Sequence, residues 1–164
     1  MGRRAIHHAS GDIAAEWINE NQGVRTRLRR LYFHSAVISS KLVKKMEQEE
    51  VAKKFQQYFD WEERLKNIPS HRLLAMLRAE KEGVVKLKVT VDKVEALQLI
   101  SEFVLKARKS SCGDHLELAM EDAFKRLLQP ALSNEAVSVA KAKADEGAIK
   151  VFAENLKQLL LSPP

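Results

Sequence analysis

This chain is poor in the residues that cross-link or punctuate a fold. It has 1 cysteine, 4 prolines and 6 glycines in 164 residues. A lone thiol, Cys112, excludes an intramolecular disulfide and fits a reducing compartment. So few prolines and glycines leave few turns, and therefore long elements. No apolar run approaches the roughly 20 residues that a membrane-spanning helix needs. Met1-Gly2-Arg3-Arg4 carries charge but is followed by no apolar stretch of the kind a signal peptide requires. A cytoplasmic protein without a membrane span is the expectation.

Catalytic signatures are missing as well. The sequence has no G-x-S-x-G, P-loop, H-E-x-x-H or G-x-G-x-x-G. Cys112 and His115 form a C-x-x-H pair, but two ligands do not make a zinc site. A Cys–His nucleophile also needs an orienting third group and an oxyanion hole, neither of which can be argued from these residues. Glu62-Glu63 and Asp145-Glu146 are sequence neighbours that cannot face each other on a helix, and neither can Glu80 and Glu82. We therefore expect no enzyme, no cofactor and no metal.

What is present describes a globular, basic domain. Hydrophobic residues make up 45% and charged residues 30% of the chain, which argues against disorder. A chain of this length buries roughly 70% of its unfolded surface, enough for one domain with its own core. The net charge is +6 and the isoelectric point near 9.5, which favours polyanionic partners. Nucleic acid, RNA or DNA, comes before an anionic membrane surface among these.

Read in order, the chain is mainly helical. Ser10 or Asp12 can cap a first helix carrying Ile13, Ala14, Trp17 and Ile18. Asn21 can cap a second, on which Val24, Leu28, Leu31 and Tyr32 form an apolar stripe. Around that stripe lie Arg25, Arg27, Arg29 and Arg30, the densest basic cluster in the protein. They read either as phosphate contacts or as the solvated face of an amphipathic helix paired with acids elsewhere. Residues 37–43 read as a strand, closed by Lys44 and Lys45. Lys41, Lys44 and Lys45 join the four arginines as candidate nucleic-acid contacts.

Glu47 to Phe59 places Met46, Val51, Phe55, Tyr58 and Phe59 at helical spacing. Residues 60–68 read as an irregular connector. Ser70 then caps a helix that Gly83 ends in a left-handed conformation. Residues 84–91 alternate, with Val85, Leu87, Val89 and Val91 on one face and Lys86, Lys88 and Thr90 on the other. We expect 84–91 to pair with 37–43 as a small two-stranded antiparallel ribbon held by helices.

Asp92-Lys93-Val94-Glu95 and Asp114-His115-Leu116-Glu117 are capping patterns for two further helices. The first carries Val94, Leu97, Ile100, Val104 and Ala107. The second carries Leu116, Met120, Ala123, Phe124, Leu127 and Leu128 and stops at Pro130. A long helix follows from Ala131 to Leu161. Its expected inner stripe is Val137, Ala140, Ala144, Ala148, Val151, Phe152, Leu156 and Leu159, and Gly147 is placed to bend it.

Several stretches resemble the Tex family of bacterial transcription accessory proteins. They are Tyr58-Phe59-Asp60, Ile68-Pro69-Ser70-His71-Arg72-Leu73-Leu74-Ala75 and Arg78-Ala79-Glu80-Lys81-Glu82-Gly83-Val84. Asp122-Ala123-Phe124-Lys125-Arg126-Leu127-Leu128-Gln129-Pro130 and Val151-Phe152-Ala153-Glu154-Asn155-Leu156 continue the match downstream. The resemblance covers about residues 10–164 and makes Pro69, Ser70, His71, Arg72, Glu80, Glu82 and Gly83 family-signature positions. Ala79 stands where the family has glycine, which would cost about 1 kcal/mol if that position needs a positive φ. Phe124 stands where the family has tyrosine.

The resemblance implies that residues 1–164 are the helical region of a larger, modular protein. In that protein an RNase H-like domain, helix-hairpin-helix modules and a C-terminal RNA-binding OB fold would follow. The implied role is a non-catalytic scaffold for nucleic-acid-binding modules, with weak, sequence-tolerant contacts of its own. The alternative is a protein-interaction module that does not touch nucleic acid. Implied partners are nucleic acid, the transcription machinery and the remaining domains of the same protein.

Overall fold

In the computed structural model, residues 13–107 and 113–161 are described. Helix α1 covers residues 13–20 and α2 Gln22–Ser35, followed by strand β1, Val37–Leu42. Two 3-10 segments, Lys44–Met46 and Glu50–Tyr58, lead to β2, Asp60–Arg64. A 3-10 turn at Leu65–Asn67 precedes α3, Ser70–Lys81, and then β3, Val85–Thr90. Helices α4, Lys93–Ala107, and α5, Gly113–Asp122, follow. A π-helical turn at Ala123–Leu128 joins α5 to α6, Gln129–Leu161. The protein is thus mainly α with a small antiparallel sheet, as expected from its sequence. The chain divides into two compact units, Met1–Ala36 with Thr90–Ala136 and Val37–Val89 with Val137–Pro164.

The first unit is all helical. Asn21 caps α2 as expected, its side-chain oxygen accepting the Val24 amide at 3.1 Å. The stripe of Val24, Leu28, Leu31 and Tyr32 is buried. Helix α2 packs on α4 closely enough that a Cβ on Gly23 would sit 2.4 Å from Cε1 of Phe103. Only glycine permits that approach. On α1 the buried residues are Ala15 and Ile18, while Trp17 is 44% exposed. Asp92 caps α4 by accepting the Glu95 amide at 3.1 Å. The inner face of α4 is Ala96, Ile100 and Val104, and Val94 points outward instead of joining it. The capping readings at Ser10, Asp12 and Asp114, and the Cys112–His115 pair, lie outside the described residues and side chains.

Pro130 does not stop the helix. The backbone widens one turn earlier, and the Gln129 amide bonds to the Phe124 carbonyl, five residues back. A π turn makes room where the proline ring would crowd the preceding carbonyls. Phe124 is buried in this turn, so the tyrosine hydroxyl it lacks would need a partner there.

The second unit holds the sheet. Its strand order is β2-β1-β3, so the expected ribbon has a third strand at residues 60–64, where the residue pattern predicts a connector. Strand β2 is Asp-Trp-Glu-Glu-Arg, with none of the β-branched residues that announce a strand. It forms because β1 offers a free edge, with Ile38 opposite Glu63 and Ser40 opposite Trp61. On the other side of β1, the Val43 amide bonds to the Val84 carbonyl at 2.9 Å. That bond aligns Leu42 with Val85, Lys41 with Lys86, Ser40 with Leu87 and Ser39 with Lys88. Ile38, Ser40, Val85 and Val89 are buried on one face. The Ser40 hydroxyl donates to the Tyr58 carbonyl at 2.6 Å, which satisfies the one buried polar side chain of that face.

Residues 50–58 are two 3-10 turns meeting at a kink at Phe55 (φ −112°, ψ 16°), rather than one α-helix. The buried positions are Ala52, Phe55 and Tyr58, spaced by three, which matches the 3-10 repeat and not 3.6. Helix α3 begins at Ser70 behind Pro69, and no side chain caps it. Ser70 instead faces α6, where a Cβ on Gly147 would lie 2.7 Å from its Oγ. Gly147 therefore serves a close approach. Gly83 ends α3 at φ +79°. Its amide bonds to the Glu80 carbonyl, and the Val84 amide to that of Ala79, which is the Schellman pattern. Ala79 is helical and fully buried, and no residue other than glycine has positive φ among the described residues, so alanine carries no backbone strain there.

Two substitutions test these contacts. Gly23→Ala should destabilise the protein by about 1–3 kcal/mol, because Phe103 must leave its position. Gly83→Ala should cost about 1–2 kcal/mol through its left-handed backbone. Thermal unfolding of both variants measures the loss, and an unchanged midpoint for Gly23→Ala would exclude the tight α2–α4 packing.

Candidate nucleic-acid interface

The signature residues gather in the second unit, where most of them hold α3 to the sheet. Arg72 Nη1 donates to both carboxylate oxygens of Glu63, at 2.9 and 3.0 Å. The same carboxylate accepts the Trp61 indole N–H at 2.9 Å. The Arg72 guanidinium lies 4.9 Å from the Trp61 ring centre, a cation–π contact, and its Nε is buried without a hydrogen-bond partner. Glu63 and Trp61 come from β2 and Arg72 from the first turn of α3. The three side chains clamp the strand that sequence pattern did not reveal.

Glu80 has a similar task at the other edge. Its Oε2 accepts the Leu87 amide at 2.9 Å, from the side of β3 that faces away from β1. An edge strand has unpaired amides, and this carboxylate satisfies one. Glu82 pairs with Lys54 at 3.5 Å, and Lys54 lies over Phe55. Pro69 and Gly83 bound α3. His71 is the exception: it is exposed and has no hydrogen-bond or ion-pair partner among the described residues.

The candidate nucleic-acid contacts divide between the units. Arg25, Arg27, Arg29 and Arg30 belong to the first, Lys41, Lys44 and Lys45 to the second. Three of the arginines have local partners. Arg25 donates to the backbone carbonyl and side chain of Asn19. Arg27 lies 3.7 Å from Glu102 and over the Phe103 ring, and Arg29 bonds Glu135 at 2.7 Å. Arg30 is exposed with no such partner among the described residues. Lys41 pairs with Asp60 across β1 and β2. Lys44 and Lys45 are exposed and unpaired among the described residues.

Two titratable groups among the described residues are shifted from their ordinary values. Burial pushes the Tyr32 phenol above its ordinary pKa, against a smaller opposing effect from its contact with Ser133. A phenol raised in this way stays neutral and is a poor base at neutral pH. The Arg126 guanidinium holds the Asp122 carboxyl below its usual value. No group of three or more His, Cys, Asp or Glu side chains could hold a metal among the described residues. No helix among them is long and apolar enough to cross a membrane.

An unpartnered apolar face lies on α6. Of the stripe expected to face inward, only Ala144 is buried, and every residue from 148 to 161 is exposed. Ile149, Phe152, Leu156 and Leu159 recur at spacings of three and four, and they are 67%, 68%, 46% and 74% exposed. That spacing is a seam of the kind one helix offers to a partner. Periodicity alone reveals the stripe, but not whether the described part of the chain covers it.

The Arg72 clamp makes a direct prediction. Arg72→Ala should destabilise the second unit by about 2 kcal/mol, since it strips a half-buried carboxylate of its charged donor. Arg72→Lys should restore less than half of that, because an ammonium does not stack on Trp61 as a guanidinium does. Urea unfolding followed by Trp fluorescence reads both, and full restoration by lysine would exclude the stacking contribution.

Comparison with known proteins agrees with the family resemblance. The chain is 34% identical over 152 residues to YdcI of Bacillus subtilis, covering 93% of this chain and 21% of that protein. It is 34% identical over 157 residues to the transcriptional accessory protein Tex of Neisseria gonorrhoeae, covering 93% of this chain and 20% of that one. A human S1 RNA-binding domain-containing protein 1 is 24% identical over 165 residues, 97% of this chain and 17% of its own length. The chain thus spans about a fifth of the length of such relatives. The profile of the Tex central region-like family matches residues 5–152, and the chain belongs to that family.

Proposed function

We propose that this chain is a non-catalytic scaffold of a Tex-like transcription accessory protein, and that α6 is its docking element for another folded part of the same protein. The observation that carries the reading is the apolar seam at Ile149, Phe152, Leu156 and Leu159, exposed along the last turns of α6. Contiguous apolar surface of this kind marks an interaction site. The relatives are about five times as long as the chain, so in them such a seam has further polypeptide available to cover it. The signature residues support the scaffold role, because most of them spend their polar groups on internal contacts. In Tex-like proteins the parts assembled on this scaffold would be nucleic-acid-binding modules, as the name of the S1 RNA-binding relative suggests.

A second element of the reading is direct, sequence-tolerant contact with nucleic acid. It is favoured by the net charge of +6 and by the exposed Arg30, Lys44 and Lys45, which have no acidic partner among the described residues. The exposed pairs of Arg27 and Arg29 contribute little, roughly 0–1 kcal/mol each, and a phosphate can displace the acid from either.

The docking element is tested with the part of the Bacillus subtilis relative that lies outside the matched region, expressed separately. The wild-type chain should bind it with a Kd in the micromolar range or tighter by calorimetry. Phe152→Asp combined with Leu156→Asp should abolish binding and leave the unfolding midpoint unchanged, since both side chains are exposed. No binding by the wild type would overturn the reading. So would light scattering that finds the chain dimeric through this seam, with the double variant monomeric.

A further inference from the structure

The outer face of the sheet is polarised by charge in a way its packing does not require. The register puts Asp60, Lys41 and Lys86 in one row across β2, β1 and β3, and Glu62, Ser39 and Lys88 in the next. Acid stands on one edge and lysine on the other. Lys41 and Lys86 are directly opposite each other, both exposed, and like charges in that position are destabilising. Lysine on the free edge of β3 can be explained as protection against edge-to-edge pairing. Lys41, on the central strand, is explained on one side by its cross-strand pair with Asp60, but on the other side it meets Lys86. Just beyond the Val43–Val84 hydrogen bond, at the same end of the sheet, come Lys44 and Lys45. Neither they nor Lys86 and Lys88 have an acidic partner among the described residues.

We infer that this lysine edge, formed by Lys41, Lys44, Lys45, Lys86 and Lys88, binds the phosphate backbone of duplex nucleic acid. A phosphate between Lys41 and Lys86 relieves their mutual repulsion. Lys86 and Lys88 are about 6.8 Å apart along the strand, two residue rises, so their ammonium groups can reach different phosphates of one backbone. The exposed face has no aromatic residue, because Trp61 lies on the opposite face against Arg72. Without an aromatic to stack an unpaired base, the face has no platform for single strands. A duplex, with its denser phosphate charge, is the better match. Lys41 keeps its pair with Asp60 until phosphate competes, and that exposed pair is weak.

This inference rests on the nucleic-acid limb of the proposed function, and the experiment separates the two. Fluorescence anisotropy with a labelled 20-base-pair duplex is measured between 50 and 200 mM salt for the wild-type chain, Lys86→Gln/Lys88→Gln and Arg30→Gln. The double variant should bind about tenfold more weakly at 50 mM salt, with a log–log salt slope reduced by about 2, one for each lysine replaced. Circular dichroism and the unfolding midpoint should be unchanged, or raised by relief of the Lys41–Lys86 repulsion. If the wild type binds and only Arg30→Gln weakens it, the nucleic-acid limb stands and this site is wrong. If the wild type binds no duplex, both fall. Binding to anionic phosphatidylserine vesicles but not to duplex would likewise overturn the assignment.

Discussion

Strand β1 must hydrogen-bond on both sides, and most of the second unit follows from that requirement. Its flanking segments, residues 60–64 and 85–90, complete its ladders. Once the register is set, the pleat decides which side chains are buried. Ile38 and Ser40 turn inward with Val85, Leu87 and Val89 of β3. Ser39 and Lys41 turn outward. A one-residue slip would bury Lys41 and expose Ile38, so the register is held by the apolar residues of one face. The charge pattern of the outer face is then a consequence, and the question is which of its charges the fold can do without.

The clamp of Arg72, Glu63 and Trp61 solves a problem that β2 creates. A strand of Asp-Trp-Glu-Glu-Arg has little apolar surface with which to hold its place. Its inner positions, Trp61 and Glu63, instead meet Arg72 from α3, and a carboxylate and an indole share one guanidinium. The sheet is thereby fastened at β2 by charge and at β3 by the Glu80–Leu87 bond. Both fasteners come from α3. Its fixed start behind Pro69 and its Schellman stop at Gly83 keep the two at a constant separation along the helix. The Ile-Pro-Ser-His-Arg and Glu-Lys-Glu-Gly stretches are therefore the two ends of one brace.

Elements whose hydrophobic period carries the signal are legible in the sequence. The stripe of α2, the alternation of β3, the Asn21 and Asp92 caps and the Gly83 stop all follow from local chemistry. Strand β2 is not legible, because its reason for being extended lies in β1 and α3 and not in its own residues. The 3-10 segment looks α-helical in sequence because Val51, Phe55 and Phe59 fall at a spacing of four. Only the tighter stripe Ala52, Phe55 and Tyr58 betrays the threefold repeat. Pro130 misleads in the opposite direction, since a π turn ahead of it absorbs the ring. For the interface, composition sets the sign of the charge, but the pairing of Arg27 and Arg29 with acids distant in sequence cannot be read from the chain. Lys86 joins the candidates only when strand register puts it beside Lys41.

The exposed end of α6 poses a question of stability. Residues 148–161 have none of the tertiary burial that usually sustains a helix, and an isolated helix of about this length is marginal in water. Its composition helps: Ala, Leu, Lys, Glu and Gln dominate, and Lys150 lies near Glu146 one turn earlier. Propensity also propagates from the packed part of the same helix, where Ala144 is buried and Gly147 lies against Ser70, so no new nucleus has to form. Those features can sustain the helix, but they do not account for four large apolar side chains on one seam. Lysine, glutamate or alanine at Ile149, Phe152, Leu156 and Leu159 would serve an isolated helix better, since β-branched and aromatic residues lower helix propensity. Isoleucine and phenylalanine stand there against that preference, and the docking surface proposed for α6 would supply the physical reason.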